Sequence, residues 1–314
     1  MLDTSLSYVI TGGAGLVGQN LVVRLREAGC GRICVIDRHA HNLAILRELH
    51  PGVATHCSDM LAPGPWQQAL READVLVMLH AQIGGVAAVE FDRNNVEATR
   101  AVLRELEHNP RCYVVHVSSS VVNSRADDHY VRTKRLQEEL VRASANPWCV
   151  LRPTLMFGWF DRKHFGWLSR FMRRSPVFPV PGHGQYLRQP LFAGDFCHVI
   201  LRCIERRPAG SCYDISGKQK LPYIELVRMI RAAVGSHALV LRIPYALFAA
   251  LLRVYALFDR DPPFTVNQLQ ALVIDETFPD TDWERTFDVR ATPLAEALRL
   301  TFRHPVYSAV ALRF

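Results

Sequence analysis

The sequence predicts an α/β fold: a doubly wound parallel sheet with a smaller, mostly helical C-terminal domain. The first observation behind this prediction is a β-branched strand, residues 8–11, that runs directly into spaced glycines and an amphipathic helix. The second is that strand and helix then alternate through residue 153, in units long enough for right-handed crossovers. A chain of 314 residues, 49% of them hydrophobic, can bury a sizeable core in one large domain or two coupled ones.

Three glycines, Gly12, Gly15 and Gly18, follow the first strand. Gly12 allows the sharp turn off the strand, Gly15 lets backbone amides approach a pyrophosphate, and Gly18 lets the next helix pack tightly on the sheet. The phosphates would lie at the positive helix N-terminus, beside Leu16 and Val17, where amide N–H groups lack intrahelical partners. The turn therefore predicts a dinucleotide-binding site.

A second strand, residues 32–36, ends in Asp37. A carboxylate at this distance from the glycines is placed to accept hydrogen bonds from the adenosine ribose hydroxyls. Its charge would repel the 2′-phosphate of NADP, so the predicted cofactor is NAD, with NADP less favoured. Arg38 follows immediately and could hold a 2′-phosphate instead. The alternative role for Asp37 is to cap a turn, but its spacing from the glycines favours the ribose.

The alternation of strands and helices sets the predicted domain organisation. Helices are predicted near residues 19–28, 42–49, 67–69, 94–107 and 130–143, and strands near residues 53–56, 75–80, 113–118 and 148–152. From about residue 157, prolines and glycines punctuate a loop-rich region before a return to the sheet at residues 191–205. We therefore expect a Rossmann-type domain over residues 1–165, with a returning segment near 186–206. A substrate-binding domain would comprise residues 166–185 and 207–314.

Composition excludes several function classes. The net charge of +7 comes from arginines scattered along the chain, without the basic, aromatic-interleaved cluster typical of nucleic-acid binding. This charge indicates either a solvated basic surface or a field that attracts a small anionic substrate. The eight cysteines show neither C-x-x-C nor zinc-like spacing, which predicts reduced thiols and no metal site. Because the N-terminus also enters a core strand without a secretory signal, we expect a cytoplasmic protein.

Residues 238–258 are strongly apolar, but Arg242, Pro244 and Arg253 interrupt them. A membrane span needs about 20 predominantly apolar residues with few charges, so no integral span is expected. The stretch instead predicts a buried or surface-docking helix, and a peripheral membrane contact is the alternative.

Tyr130 and Lys134 place a phenol and an ammonium four residues apart on one helical face. The cation is expected to stabilise tyrosinate, so that Tyr130 exchanges a proton nearer neutral pH than a free phenol. Upstream, the strand ending at residue 117 leads into Ser118, Ser119 and Ser120, at the sheet edge where such folds bind ligands. Ser120, with Ser119 as its neighbour, is predicted to hydrogen-bond the oxygen that Tyr130 protonates or deprotonates.

Together these motifs resemble an extended short-chain dehydrogenase/reductase, the family of NAD-dependent nucleotide-sugar epimerases, dehydratases and ketoreductases. The resemblance covers most of the chain. The segments that carry it are T-G-G-A-G-L-V-G at residues 11–18, C-S-D-M at 57–60, N-N-V-E-A-T at 94–99, S-S-S at 118–120, Y-V-R-T-K at 130–134, L-R-P-T-L-M-F-G at 151–158 and R-Q-P-L-F-A-G-D at 188–195. The family usually dimerises through the helices at residues 95–107 and 130–143, which implies a homodimer.

The resemblance also implies roles for further cofactor-site residues. Asp59, with Met60 beside it, would contact the adenine, although Asp59 could equally cap a turn. Lys134 would bridge the nicotinamide ribose. Three more residues are placed in or near the cofactor site by the match: Asn95, which could otherwise be an exposed helix residue, Pro153, at the start of the loop passing the nicotinamide, and Ala81. His80 could reach the cofactor or substrate, or could be a satisfied strand-end imidazole.

The implied substrate contacts are Gln82, Ser120, Phe157 and Arg188. Arg188 matches the position at which nucleotide-sugar members hold a substrate phosphate, and a bidentate guanidinium suits a diphosphate. The alternative is that Arg188 is a surface charge.

Departures from the family pattern narrow the predicted activity. Only ten residues separate Ser120 from Tyr130, so the loop that covers the sugar in relatives is short. No Asp-Glu pair follows the serines, which removes the acid/base partners of a 4,6-dehydratase. The predicted function is 4-epimerisation or 4-keto reduction of a nucleotide sugar. The alternatives are an NAD(P)-dependent reductase of a hydrophobic alcohol or ketone, and a non-catalytic member with a binding role.

Overall fold

The computed structural model describes residues 2–85, 87–125, 127–258, 269–270 and 272–313. Its strands are β1 (Tyr8–Thr11), β2 (Ile33–Asp37), β3 (Ala54–Cys57), β4 (Val75–Met78), β5 (Tyr113–Val117), β6 (Trp148–Pro153), β7 (Met156–Phe157), β8 (Val177–Pro181), β9 (Leu187–Arg188), β10 (Leu191–Phe192), β11 (Ser211–Ile215), β12 (Leu221–Pro222) and β13 (Leu239–Ile243). Seven of them form a parallel sheet in the order β11-β6-β5-β4-β1-β2-β3. The strand order reverses between β1 and β4, and their carboxyl ends are where such sheets bind ligands.

The described helices are α1 (Leu16–Glu27), α2 (Ala40–Leu49), α3 (Trp66–Arg71), α4 (Ala88–Phe91), α5 (Ala98–Leu106), α6 (His129–Arg142), α7 (Phe165–Arg174), α8 (Ala193–Arg206), α9 (Tyr223–Ala233), α10 (Tyr245–Phe258), α11 (Trp283–Phe287) and α12 (Leu294–Arg303). Among them, α3 and α5 lie on one face of the sheet, and α1 and α8 lie on the other. Successive strand residues point to opposite faces, so Val9 packs into the core under α3 and α5, while Ile10 packs into the core under α1 and α8. The predicted doubly wound α/β fold class is thereby confirmed.

A second apolar core lies outside the sheet, between α7, α9 and α12. It is bordered by two short parallel pairs, β7 with β10 and β8 with β13, and by the antiparallel pair β9 with β12. This core contains apolar side chains from residues 157–302, including Phe165 and Leu298.

Two of the expected features differ in the structure. Residues 207–314 were assigned wholly to the substrate-binding domain, but β11 extends the main sheet beside β6, and Trp283 and Phe287 of α11 pack into the sheet core. The predicted helix at residues 94–107 begins as a π-helical segment, Asp92–Glu97, before α5. Across the described residues, no helix is long and apolar enough to cross a membrane, and no group of His, Cys, Asp and Glu is arranged to hold a metal ion.

Candidate active site

The turn between β1 and α1 is closely packed around its glycines. Gly12 has φ +67°, and a Cβ there would lie 2.5 Å from the backbone nitrogen of His80. A Cβ on Gly18 would lie 2.3 Å from the carbonyl oxygen of Gly13, so only glycine lets α1 approach the turn this closely. Gly15 precedes α1 and carries no side chain to cap it, which leaves the first amides of the helix available to an anion. This arrangement fits the predicted pyrophosphate contact.

We expect Gly18→Ala to lower the unfolding temperature, because the added methyl would collide with the main chain of Gly13. Overpacking of this kind costs ~1–3 kcal/mol. Gly15→Ala is the matched control, since its Cβ would meet nothing nearer than the Gly12 carbonyl oxygen at 3.5 Å. That variant should keep its unfolding temperature and lose NAD affinity. Calorimetry and NAD titration of both proteins check this, and equal unfolding temperatures would contradict the packing role of Gly18.

Asp37 lies at the end of β2 and is held by backbone amides. Its carboxylate accepts hydrogen bonds from Ala14 N and His39 N, both at 3.0 Å. Each carboxylate oxygen can accept a further hydrogen bond, so the group fits a pair of ribose hydroxyls as well as the turn itself. Arg38 points elsewhere, because its terminal nitrogens donate to Asn94 Oδ1 at 2.9 Å and to the Gln82 side-chain oxygen at 3.3 Å. The arginine that could have held a 2′-phosphate is therefore already engaged.

Asp59 lies just beyond β3, and its position is compatible with both predicted roles, an adenine contact and a turn cap. Its carboxylate accepts from Leu61 N at 3.0 Å, as in a turn, and pairs with Arg93. The neighbouring Met60 is partly buried against the sheet core. The pair thus lies at the same sheet edge as Asp37, where the resemblance places the adenine.

His80 is buried and fully hydrogen-bonded. Its Nδ1 lies 2.8 Å from Thr11 Oγ1 and its Nε2 lies 3.1 Å from Thr99 Oγ1. Burial, together with the nearby charge of Lys134, lowers the pKa of His80 to about 3, so the ring is neutral. Of the two expected roles, the structure shows the satisfied strand-end imidazole, and the ring is not free to contact a cofactor. Ala81 continues the loop, where it is half-buried.

Asn95 lies in the π-helical segment and is completely buried. Its Oδ1 accepts from Gln82 N at 2.6 Å, while its Nδ2 donates to Gln82 O at 3.2 Å and to Thr133 Oγ1 at 2.9 Å. Asn95 therefore fixes the loop after β4 to helix α6 and is not the exposed residue of the alternative interpretation. Single-turn π segments of this kind recur at functional sites.

Tyr130 lies in the first turn of α6, which Asp128 caps by accepting from Val131 N at 2.9 Å. Burial raises the pKa of the Tyr130 phenol and the Asp128 charge adds to it, while a hydrogen bond with Ser119 acts in the opposite direction. Ser119 is the residue that precedes the 3-10 turn Ser120–Asn123. The structure thus reverses the predicted order of the serines: Ser119 lies beside the phenol, and Ser120 lies one residue further along the turn.

Lys134 is buried and donates from Nζ to the carbonyl oxygen of Val117 at 3.1 Å. Burial lowers its pKa to about 7, with the Glu138 charge partly opposing. The expected lowering of the Tyr130 pKa by Lys134 is wrong for this structure, since the pKa of Tyr130 is raised. The physical reason is that burial of the phenol raises its pKa, while the Lys134 amine donates to the Val117 carbonyl at the end of β5.

The hydrogen bonds of Arg188 contradict its predicted role as a phosphate ligand. It is buried, and its guanidinium donates to the main-chain carbonyls of Leu187 at 2.6 Å, Ile274 at 2.8 Å and Leu272. Glu276 lies 3.9 Å from its Nε. Arg188 therefore ties β9 to the segment near residue 274, and most of its N–H donors are used there.

Phe157 is also a packing residue, contrary to its assignment as a substrate contact. Its ring stacks on Phe165 at 4.7 Å and lies 5.6 Å from Phe192. It borders a pocket with an empty volume of ≈ 320 Å³, together with Asp195 and other residues, that does not reach Tyr130. The two remaining predicted positions, Ser118 and Pro153, lie at the carboxyl ends of β5 and β6 as expected from their strands.

Sequence reasoning missed a buried polar face on α6. Thr133, Lys134, Gln137 and Glu138 are all buried, although a helix that packs on a sheet normally buries apolar side chains. Gln137 donates to Thr99 Oγ1 and to the Asn95 carbonyl, and Glu138 accepts two hydrogen bonds from Arg152. The spacing of three and four residues from Tyr130 was the available signal, because these positions share its helical face.

Comparisons with known proteins identify the family and the fold of the chain. The sequence profile of the NAD dependent epimerase/dehydratase family matches residues 8–216. A ceramide reductase of Caulobacter vibrioides is 24% identical over 237 residues, covering 75% of this chain and 73% of that protein. NADH dehydrogenase [ubiquinone] 1 alpha subcomplex subunit 9 of Dictyostelium discoideum is 24% identical over 275 residues, covering 85% and 75%.

Among solved structures, UDP-glucuronic acid 4-epimerase from Bacillus cereus, in complex with NAD, superposes with a TM-score of 0.75. It is 18% identical, and the match covers 95% of this chain and 98% of that one. This likeness supports the fold, and the profile match supports the predicted family and its cofactor. Because that match extends over more than half of the sequence, the chain belongs to the NAD-dependent epimerase/dehydratase family.

Proposed function

We propose that this protein transfers a hydride between NAD and a carbinol or ketone carbon, with Tyr130 as the acid/base. The observation that carries the proposal is the half-buried phenol hydrogen-bonded to Ser119 at the carboxyl edge of the sheet, on the helix that also brings Lys134 there. NAD, when bound, supplies the hydride acceptor or donor. Gly15, the first amides of α1 and Asp37 would hold its phosphates and adenosine ribose.

The protein's own residues would donate the proton and position the reactants. Because burial raises its pKa, Tyr130 is protonated at neutral pH and can donate a proton to a carbonyl oxygen, as reduction of a ketone requires. Ser119 would hydrogen-bond the same oxygen and fix its position. Lys134 would hold the nicotinamide ribose, and Asn95 keeps the loop after β4 in place beside the site.

Asp37 is proposed to set the preference for NAD over NADP. We expect Asp37→Ala to weaken NAD binding about tenfold, as the loss of a hydrogen bond to a charged group does, and to bring the affinities for NAD and NADP closer together. Fluorescence titration with NADH and NADPH measures both. An unchanged ratio of the two dissociation constants would contradict the assignment.

Two substrate classes are supported by different observations. A nucleotide sugar, epimerised or reduced at C4, is supported by the fold shared with UDP-glucuronic acid 4-epimerase. A long-chain, uncharged ketone or alcohol is supported by the engagement of Arg188 with main-chain carbonyls, which removes the expected phosphate ligand, and by the match to a ceramide reductase. The match to a subunit of an NADH dehydrogenase supports the alternative that this protein is a subunit of a larger assembly.

The test is an assay of NADH consumption at 340 nm and of epimerisation by product analysis. Substrates are UDP-, GDP- and dTDP-hexoses, their 4-keto forms, and long-chain ketones presented in detergent. Turnover of one set assigns the class. NADH binding without turnover of any of them would favour the binding role and overturn the proposed chemistry.

A further inference from the structure

Helix α10 presents apolar side chains to solvent. Leu247, Leu251 and Val254 are 52%, 54% and 53% exposed. With 3.6 residues per turn, these three side chains lie within about 60° of one another around the helix axis. Ala249, on the opposite side of the helix, is buried. The helix therefore rests on the protein through the side that carries Ala249 and presents a leucine and valine ridge outward.

The strand that precedes this helix has the same character. Leu239 and Leu241 of β13 are 56% and 41% exposed, and alternate residues of a strand share a face. Val240, between them, packs against the second core. The five outward side chains are named here the exposed apolar surface: Leu239, Leu241, Leu247, Leu251 and Val254. Clusters of exposed apolar residues on soluble proteins mark interaction sites.

The charged residues of β13 and of the described part of α10 are arginines. Between residues 226 and 258 the sequence has no Asp or Glu and has four arginines. Two of them, Arg242 on β13 and Arg253 on α10, are exposed. An apolar ridge with a cationic border fits a surface that is apolar inside and anionic at its boundary.

We propose that α10 and β13 dock the protein on an anionic phospholipid surface. Leu247, Leu251 and Val254 would enter the boundary between headgroups and acyl chains, and the exposed guanidinium of Arg253, on the same helix, would reach the lipid phosphates. At 1.5 Å per residue a helix of this length is roughly 21 Å long, short of the ~30 Å hydrocarbon core, so it lies on the membrane.

The experiment is co-sedimentation of the full chain with vesicles of phosphatidylcholine, with and without phosphatidylglycerol. We expect binding to the anionic vesicles, weakened by salt and much weaker on phosphatidylcholine alone. The double variant L247Q/L251Q should lose about tenfold or more of its vesicle affinity, and Arg253→Gln about fivefold. Val306→Gln, which alters an apolar residue that is 49% exposed elsewhere, should bind as the unmodified protein does.

Three outcomes would overturn the proposal. The first is anionic-vesicle affinity that L247Q/L251Q leaves unchanged while the unfolding temperature confirms that the variant is folded. The second is equal binding to neutral and anionic vesicles, which would remove the role of Arg253. The third is no vesicle binding together with self-association, or with capture of a protein, that the same variant abolishes. The proposal does not depend on which substrate the active site takes.

Discussion

Tyr130→Phe is expected to lower kcat for NADH-dependent ketone reduction by about 10²–10⁴-fold, the usual contribution of a positioned acid/base. The variant removes only the phenolic oxygen, so the ring remains to fill its place on α6. NADH affinity and unfolding temperature should therefore be preserved. Tyr307→Phe is the matched control, because Tyr307 packs with His304 and Trp159 outside the site and is expected to be dispensable for turnover. Full activity in Tyr130→Phe would overturn the catalytic assignment.

The pH profile tests the same residue from another direction. Burial raises the pKa of Tyr130, so the phenol keeps its proton through neutral pH. Reduction should hold its rate through neutral pH and fall only in alkaline solution, whereas oxidation of the alcohol should speed up as pH rises.

Comparison of Ser119→Ala with Ser120→Ala separates the roles of the two serines. The larger loss of kcat is expected for Ser119, and the reverse result would restore the original prediction for Ser120.

Lys134→Met is expected to make the protein more stable and less active. Burial lowers the pKa of Lys134 from 10.5 to about 7, so the charged amine destabilises the folded state. A methionine of similar length removes that penalty and should raise stability by ~0.5–2 kcal/mol at or below neutral pH. Activity should fall about 10²–10³-fold, as when a fixed electrostatic group is removed from a site. Lys218→Met is the control: its amine is paired with Asp280 at the surface, so its removal should not raise stability.

The lowered pKa of Lys134 determines how the free energy of unfolding changes with pH. Between about 7 and 10.5 the unfolded chain binds a proton at Lys134 that the folded chain has released, so this residue makes stability rise with pH there. Below 6.5 the buried His80 and His116 act in the same sense, because each is neutral when folded and protonated when unfolded. Buried thiols and phenols with raised pKa values, such as those of Cys34 and Tyr8, act in the opposite sense in more alkaline solution. The test is therefore a comparison near pH 7–8: urea unfolding should show stability rising more steeply with pH in the unmodified protein than in Lys134→Met. An identical slope in both would contradict the burial of an amine with a lowered pKa.

The sheet and the cofactor turn could be predicted because they follow from local rules. Glycine spacing, strand-to-helix alternation and the carboxylate at Asp37 each reflect a constraint within about 40 residues, and the strand order follows from short crossovers. The π-helical segment could not be found this way. Its hydrogen bonds shift by one residue so that Asn95 can reach both the loop after β4 and Thr133 on α6, and that constraint is tertiary.

Electrostatic predictions failed where burial outweighed proximity. The four-residue spacing of Tyr130 and Lys134 was correct as helical geometry. It does not reveal the desolvation that raises the pKa of Tyr130 and lowers the pKa of Lys134, so that both neutral forms are favoured. The prediction for Arg188 was wrong for a related reason. A buried guanidinium must satisfy its donors, and the carbonyls of residues 272–274, far away in sequence, were the partners it met.

Ser119 and Tyr130 are proposed to serve hydride transfer between the nicotinamide and a substrate carbon. The most direct measurement uses NADH carrying deuterium at C4 of the nicotinamide, with the 4-keto sugar nucleotides and long-chain ketones as substrates and mass spectrometry of the products. One deuterium on the new carbinol carbon, formed by the unmodified protein and not by Tyr130→Phe, is the predicted result. Binding of NADH with no deuterium in any product, or equal transfer by Tyr130→Phe, would contradict the claim.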